Sequence, residues 1–141
     1  MITFEEVSGL RIGLLKLARQ IRKQNAAMPY SQTELNIIGH LDRLHTALPS
    51  QLSALEHISA QAVSQNLNNL AANGIVIRKT DETDKRKIKI TLSNLGHEKL
   101  KALRQQRDEW FMHTIKARLS ATEIEQLINS TRLFQKLTAT I

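Results

Sequence analysis

A run of basic side chains between Arg78 and Lys89 is the first feature of the sequence that could do chemistry. It holds six Lys and Arg residues, with three acids, Asp81, Glu82 and Asp84, among them. Lys and Arg neutralise phosphate oxygens, so the run predicts contact with an anionic polymer such as the backbone of a nucleic acid. The simpler alternative is a solvated loop of mixed charge, which the three acids favour.

An uncharged polar segment precedes that run. No Lys or Arg lies between Leu44 and Ile77, and the second half of this interval is rich in Ser, Gln and Asn. Asn and Gln can form two hydrogen bonds to adenine, and Ser can bond to bases or phosphates. The candidate contacts on this segment are Ser59, Gln61, Ser64, Gln65 and Asn68.

Catalytic and metal-binding patterns have little support. The five histidines are scattered without HExxH or paired-ligand spacing, and no Gly-rich phosphate loop or Ser/His/Asp arrangement is evident. The chain has no Cys, which excludes disulfides, thiolate nucleophiles and thiol redox sensing. We therefore predict no enzyme, no cofactor, no catalytic residue and no metal site.

The length and the net charge limit the classes of protein to which this chain can belong. The chain has 141 residues, which suggests one domain, and a formal net charge of +7, which favours nucleic acid or an acidic membrane surface as partner. No stretch approaches the roughly 20 apolar residues of a membrane span. The N-terminus lacks the features of a signal peptide. We expect a soluble, cytoplasmic protein that does not act at a membrane.

Helices must position most of these side chains. Capping boxes pair Thr3 with Glu6, Ser31 with Glu34 and Ser120 with Glu123, each followed by an apolar stripe. Pro49 begins a short helix through Ile58, and Ser59 caps a helix that runs to Ala72 before Asn73-Gly74. Helix resumes after Ser93, and the last predicted helix runs from Ser120 to Leu137 without a break.

Two β-branched segments, Ile75–Ile77 and Ile88–Leu92, predict strands, with residues 78–87 as the polar hairpin tip. The predicted fold is mainly α with a small β-ribbon, in the order of a winged helix-turn-helix. The helix after Ser59 can enter the major groove of DNA, and the hairpin can reach phosphates or the minor groove. A helical bundle with an incidental hairpin is the alternative, and winged helices also bind proteins.

The segment Ser64–Arg78 resembles the end of the recognition helix and the first wing strand of the MarR (multiple-antibiotic-resistance regulator) family. Asp81–Arg86 and then Leu92–Gly96 resemble the wing signature of that family at its own spacing. The resemblance implies a dimeric transcription regulator, commonly a repressor, whose binding to double-stranded DNA is loosened by small anionic or aromatic effectors. It implies one domain over residues 1–141, with a DNA-binding lobe at 30–92 and dimerisation helices at 1–28 and 93–141.

The resemblance also assigns roles within the wing. Arg86 matches the wing-tip arginine that is expected in or beside the minor groove. Asp84 matches the acid that shapes the tip, and Arg78 matches the basic residue of the first strand. Lys85 and Lys87 complete the predicted wing contacts. Asn68 and Asn69 stand where the family often has an Asp-Arg pair, so a neutral amide replaces the acid that the resemblance implies as the anchor of the wing arginine. We predict that affinity depends on the wing and the start of the helix, with base choice left to neutral hydrogen bonds.

Apolar stripes at both ends of the chain predict a two-fold dimer, although intramolecular core is the alternative for any one residue. Such a dimer implies a pseudo-palindromic operator with half-sites roughly 34–36 Å apart. The predicted dimerisation residues are Phe4, Val7, Leu10, Leu14, Ile124, Leu127, Ile128 and Phe134.

Effector binding is open at the level of sequence. Arg11 or Arg43 could hold a carboxylate, and Tyr30, Trp110 and Phe111 are the aromatics left for stacking. Since some family members sense metals through histidines and acids, a site centred on His113 is a further alternative. The main rival function is a winged helix that binds protein without binding DNA, because the predicted recognition helix carries no formal charge.

Overall fold

The computed structural model describes residues 1–140. Its helices are α1 (Phe4–Arg22), α2 (Gln32–Leu44), α3 (Pro49–Glu56), α4 (Ala60–Ala72), α5 (Asn94–Arg118), α6 (Ala121–Asn129) and α7 (Thr131–Thr138). Strands β1 (Val76–Thr80) and β2 (Ile88–Leu92) lie between α4 and α5 and pair antiparallel. Ala47 adds a single bridge to Ile90 on the other edge of β2. The prediction of a mainly helical winged helix-turn-helix with a small β-ribbon is confirmed.

The chain divides into two compact units. The winged-helix unit spans Asn25–Gln106, and the terminal unit joins Met1–Gln24 to the chain from Arg107 onward. The predicted lobe, residues 30–92, lies inside the winged-helix unit, as do residues 93–106 at the start of α5. The assignment of separate roles to the lobe and the terminal helices stays a prediction.

The apolar core of the described chain lies in the winged-helix unit. Ile37 and Ile38 on α2, Leu52 on α3 and Leu70 on α4 are fully buried. The same core takes side chains from both strands and from the first half of α5. Burial of this kind is the main term that holds α4 and the β-ribbon in place.

The terminal unit has a different character. None of the residues of α1, α6 or α7 is buried, although each helix carries an apolar stripe. Arg107 on α5 donates to the backbone oxygens of Gln24 at 3.3 Å and Arg22 at 3.4 Å, and so binds the end of α1. Burial lowers the pKa of Arg107, and the positive charge of Arg22 lowers it further.

Three predictions about element bounds are wrong. Helix α3 ends at Glu56 and not at Ile58, because His57 takes a left-handed conformation. Strand β1 continues through Arg78–Thr80, which the sequence placed in the hairpin tip, because these residues pair with Ile88–Ile90. The predicted helix from Ser120 to Leu137 is two helices, interrupted at Ser130. The Ser130 hydroxyl donates to the backbone oxygen of Leu127, a local bond that competes with regular helix hydrogen bonding.

No helix within residues 1–140 combines the length and the apolar character that a bilayer crossing requires.

Candidate nucleic-acid interface

The turn between α3 and α4 sets the start of the candidate recognition helix. His57 takes a left-handed conformation, with φ of 55°, and ends α3. The backbone N–H of Ile58 donates to the oxygen of Ser53 at 3.3 Å, and the Ser53 hydroxyl donates to the oxygen of Ile58. Ser59 then caps α4, since its hydroxyl accepts the backbone N–H of Ala62 at 3.0 Å. These local bonds account for the tight helix-turn-helix.

Helix α4 has one buried face and one exposed face. Val63, Leu67 and Leu70 are buried in the core at three- and four-residue steps. The opposite face is exposed and carries four of the predicted base contacts, Gln61, Ser64, Gln65 and Asn68. Because the buried stripe fixes the rotation of the helix, this polar face must point outward.

Asn68 links the exposed face of α4 to the wing. The Arg78 guanidinium donates from Nη2 to Asn68 Oδ1 at 2.6 Å. A neutral amide oxygen therefore accepts from a wing arginine at the position where the family often has an acid. The arginine so held is Arg78, on strand β1, rather than Arg86 at the wing tip.

Asn69, the next residue, binds a buried carboxylate. Its Nδ2 donates to Glu34 Oε2 at 2.5 Å, and Glu34 is 8% exposed. The other carboxylate oxygen of Glu34 accepts the backbone N–H of Ser31 at 3.2 Å, the capping box that begins α2. Asn69 thus joins α4 to α2. Sequence reasoning missed this contact because the capping box already explained Glu34.

The wing tip is shaped by two aspartates. Asp84 Oδ1 accepts the backbone N–H of Arg86 at 3.1 Å, and the same carboxylate binds the Arg86 guanidinium from Nε at 3.1 Å and Nη2 at 3.3 Å. The Arg86 side chain stays 91% exposed. Asp84 therefore holds the arginine in one orientation at the surface without burying its charge.

Asp81 closes the base of the tip. The backbone N–H of Thr83 donates to its Oδ1 at 3.2 Å, and Lys89 Nζ lies 3.6 Å away. The Thr83 backbone bond is the largest influence that lowers the pKa of Asp81, and Lys89 lowers it as well. The backbone N–H of Asp81 donates to the Lys87 oxygen at 2.9 Å and closes the loop.

Several cations of the wing are exposed and unpaired within the described chain. Lys79, Lys85 and Lys87 are exposed, and none of them forms an ion pair with any residue from 1 to 140. The structure thus places the predicted contacts on one helix face and on the adjoining hairpin. Nine of the ten are exposed, and Asp84 is the exception at 30% side-chain exposure.

The predicted dimerisation residues occupy the terminal unit. Phe4 is 94% exposed, Leu10 56% and Ile128 59%, and Ile124 and Leu127 are half-buried. Within this unit α1, α6, α7 and the residue that follows α5 line an apolar groove of about 540 Å³. The predicted residues that line it are Leu10, Leu14, Leu127 and Phe134.

The candidate effector residues fall in both units. In the winged-helix unit, Arg43 donates to His40 Nδ1 at 2.9 Å, and the opposite ring nitrogen bonds Glu56 at 2.6 Å, while Tyr30 packs against the core. In the terminal unit, Trp110 and Phe111 stack with ring centroids 6.4 Å apart, and Arg11 is exposed. Among the described residues, including His113, no three His, Asp or Glu side chains converge as a metal site would need.

The same helix-turn-helix and wing match a family of known proteins. A family model described as "MarR family" matches residues 29–87, which contain the helix-turn-helix and most of the wing. Residues 29–87 therefore match the MarR family, in agreement with the resemblance found in the sequence. An uncharacterized HTH-type transcriptional regulator of Mycobacterium leprae is 29% identical over 108 residues, 77% of this chain and 76% of that protein.

Solved structures of similar proteins cover nearly the full length of this chain. A Pseudomonas aeruginosa protein described as a transcriptional regulator is 26% identical, covers 97% of this chain and 96% of its own, and gives a TM-score of 0.84. A mutant of S. aureus MepR bound to an oligodeoxyribonucleotide is 20% identical, covers 98% of this chain and 100% of its own, and gives a TM-score of 0.70. The second likeness concerns the fold alone.

Proposed function

We propose that this chain is a MarR-family regulator, which acts as a dimer and binds specific sequences of duplex DNA through α4 and the wing. The observation that carries the proposal is the Arg78–Asn68 bond, which joins the exposed polar face of α4 to the basic hairpin. A helix of this kind fits the major groove, where base edges are distinguishable, while wing cations contact phosphates or the minor groove. MepR, whose fold is similar, has been solved with DNA bound.

The terminal unit supports dimerisation. A single copy exposes Phe4, Leu10, Leu137 and other large apolar side chains on helices in which no residue is fully buried. Contiguous exposed apolar surface of this kind marks an interaction site. We propose that a second copy of this chain covers this surface. The apolar groove and the exposed apolar stripes are formed by helices from both ends of the chain. Two-fold symmetry would then give a pseudo-palindromic operator with half-sites roughly 34–36 Å apart.

Repression and release by a small anionic or aromatic ligand are proposed from the family resemblance. The aromatic pair Trp110–Phe111 and the exposed Arg11 are the features that support such a ligand. The test is a competition of small aromatic carboxylates against operator DNA, in which the apparent Kd should rise with ligand concentration. An unchanged Kd at millimolar ligand would count against ligand response by this class of compound.

Selection of bound sites from a random duplex pool tests DNA binding, symmetry and spacing together. Recovered sites should be pseudo-palindromic, and binding to them should weaken with a slope in log salt of about −0.9 per neutralised phosphate. Failure to bind any duplex at low salt would refute the proposal. It would favour the protein-binding alternative, which the absence of formal charge on α4 supports.

The wing has a matched pair of variants. Arg86→Ala and Asp84→Ala both remove the Asp84–Arg86 bond, but only Arg86→Ala removes a cation. If Arg86 contacts the DNA backbone, only Arg86→Ala should weaken binding to all sequences alike and reduce the salt slope by about 1. Equal losses from both variants would assign the effect to the shape of the tip instead.

A further inference from the structure

We infer that Gln61 and Gln65 read two A·T pairs, about two base-pair steps apart, in each half-site. The inference rests on the proposed DNA binding and adds the base specificity of that same helix. It comes from the hydrogen bonds of the amide side chains on α4. Some of these amides bond to other residues of the protein, and the others have no such partner in the described chain.

Five amide side chains lie on α4, and three of them have partners inside the protein. Asn66 donates to the backbone oxygen of Ala62 at 2.8 Å, Asn69 binds Glu34, and Asn68 accepts from Arg78. The other two amides, those of Gln61 and Gln65, are exposed, and no side-chain hydrogen bond joins either one to another residue of the described chain. These two glutamines can therefore bond to a ligand without breaking a bond of the fold.

The spacing of the two glutamines suits successive base pairs. Residues four apart lie on the same side of a helix, and a rise of 1.5 Å per residue separates Gln61 from Gln65 by about 6 Å along the axis. Base pairs stack about 3.4 Å apart, so a helix lying along the groove would bring the glutamines to pairs about two steps apart. Gln61 lies in the first turn of α4, the end of a recognition helix that contacts base edges.

The chemistry of the amide selects adenine. A glutamine side chain can donate to adenine N7 and accept from N6, whereas guanine is read mainly by Arg or Lys and cytosine by Asp or Glu. Helix α4 carries none of these four charged residue types. Ser64 lies between the glutamines and can bond to either kind of base pair, so it adds little selectivity.

The test begins with a bound duplex recovered by selection and measures Kd by fluorescence anisotropy. Replacing A·T by G·C at either position should weaken binding roughly 5- to 150-fold. Gln61→Ala should abolish the preference at one position and Gln65→Ala at the other. Both sites are exposed helical positions where Ala is well tolerated. Gln20→Ala, an exposed helical glutamine of the terminal unit, is the matched control and should leave both preferences intact.

A modified base separates direct contact from DNA shape. 7-Deazaadenine keeps its Watson–Crick pairing but lacks the N7 acceptor, so it should weaken binding of the parent protein and leave the corresponding Gln→Ala variant unaffected. An A·T preference that survives in the double variant Gln61→Ala/Gln65→Ala and ignores 7-deazaadenine would overturn the inference in favour of shape readout. Absence of duplex binding by the parent protein would overturn the proposed function itself.

Discussion

The hydrogen bond from Asn69 to the buried residue Glu34 makes the sharpest prediction about stability. Asn69→Ala removes the donor to Glu34 Oε2, and Glu34 as a residue is only 8% exposed. Hydrogen bonds to charged groups contribute about 1.5–3 kcal/mol, and a buried acceptor left without its donor loses that amount. The free energy of unfolding should therefore fall by about 1.5–3 kcal/mol.

Asn68→Ala is the matched control. It removes the same residue type from the adjacent position and breaks a bond of similar length, 2.6 Å, but both partners are exposed. Water replaces the lost partner there, so the expected loss is within about 0.5 kcal/mol. The change in helix propensity is similar for the two variants and largely cancels in the comparison.

Urea denaturation at one fixed protein concentration measures both variants. With m of about 2 kcal/mol/M, Asn69→Ala should lower the midpoint by about 0.8–1.5 M, and Asn68→Ala by no more than about 0.3 M. Equal midpoint shifts would refute the reasoning, because they would show that burial of the Glu34 carboxylate does not set the cost.

Three further predictions concern packing, pH and assembly. A Cβ at Gly96 would overlap a backbone carbonyl oxygen, so Gly96→Ala should lower the unfolding free energy by about 1–3 kcal/mol. A Cβ at Gly39 would have no atom within 4 Å, so Gly39→Ala should raise the unfolding free energy by up to about 1 kcal/mol. Urea denaturation of both variants distinguishes crowding at Gly96 from a general effect of replacing a helical glycine. The pKa of Asp81 is lower in the folded state than in the unfolded state. The ionised Asp81 carboxylate therefore stabilises the fold above its unfolded-state pKa, and this contribution is lost as the pH falls through its folded-state pKa. An NMR titration that found the carboxyl midpoint at or above 3.8 would contradict this. Leu10→Glu places a charge in the proposed dimer interface and should raise the dimer Kd by about 100-fold or more in sedimentation experiments; an unchanged dimer would exclude this face.

The sequence predicted the parts of the fold that depend on neighbouring residues. The capping box of Ser31 and Glu34 is present, and Ser59 caps α4 as predicted, because each bond joins residues three apart. The winged helix-turn-helix order followed from the change of period between α4 and the strands. The bounds of β1 could not be predicted in this way, because its last residues are held by pairing with β2 and not by their own strand propensity.

Adjacent residues show most clearly what only the tertiary structure decided. Asn68 and Asn69 are alike in sequence, yet one accepts from Arg78 on the wing and the other donates to Glu34 on α2, 35 residues away. Successive helical positions point about 100° apart, so the packing of α4 determines which partner each amide meets. The sequence by itself determined which polar side chains were available, whereas the fold decided which of them were used internally and which remained free.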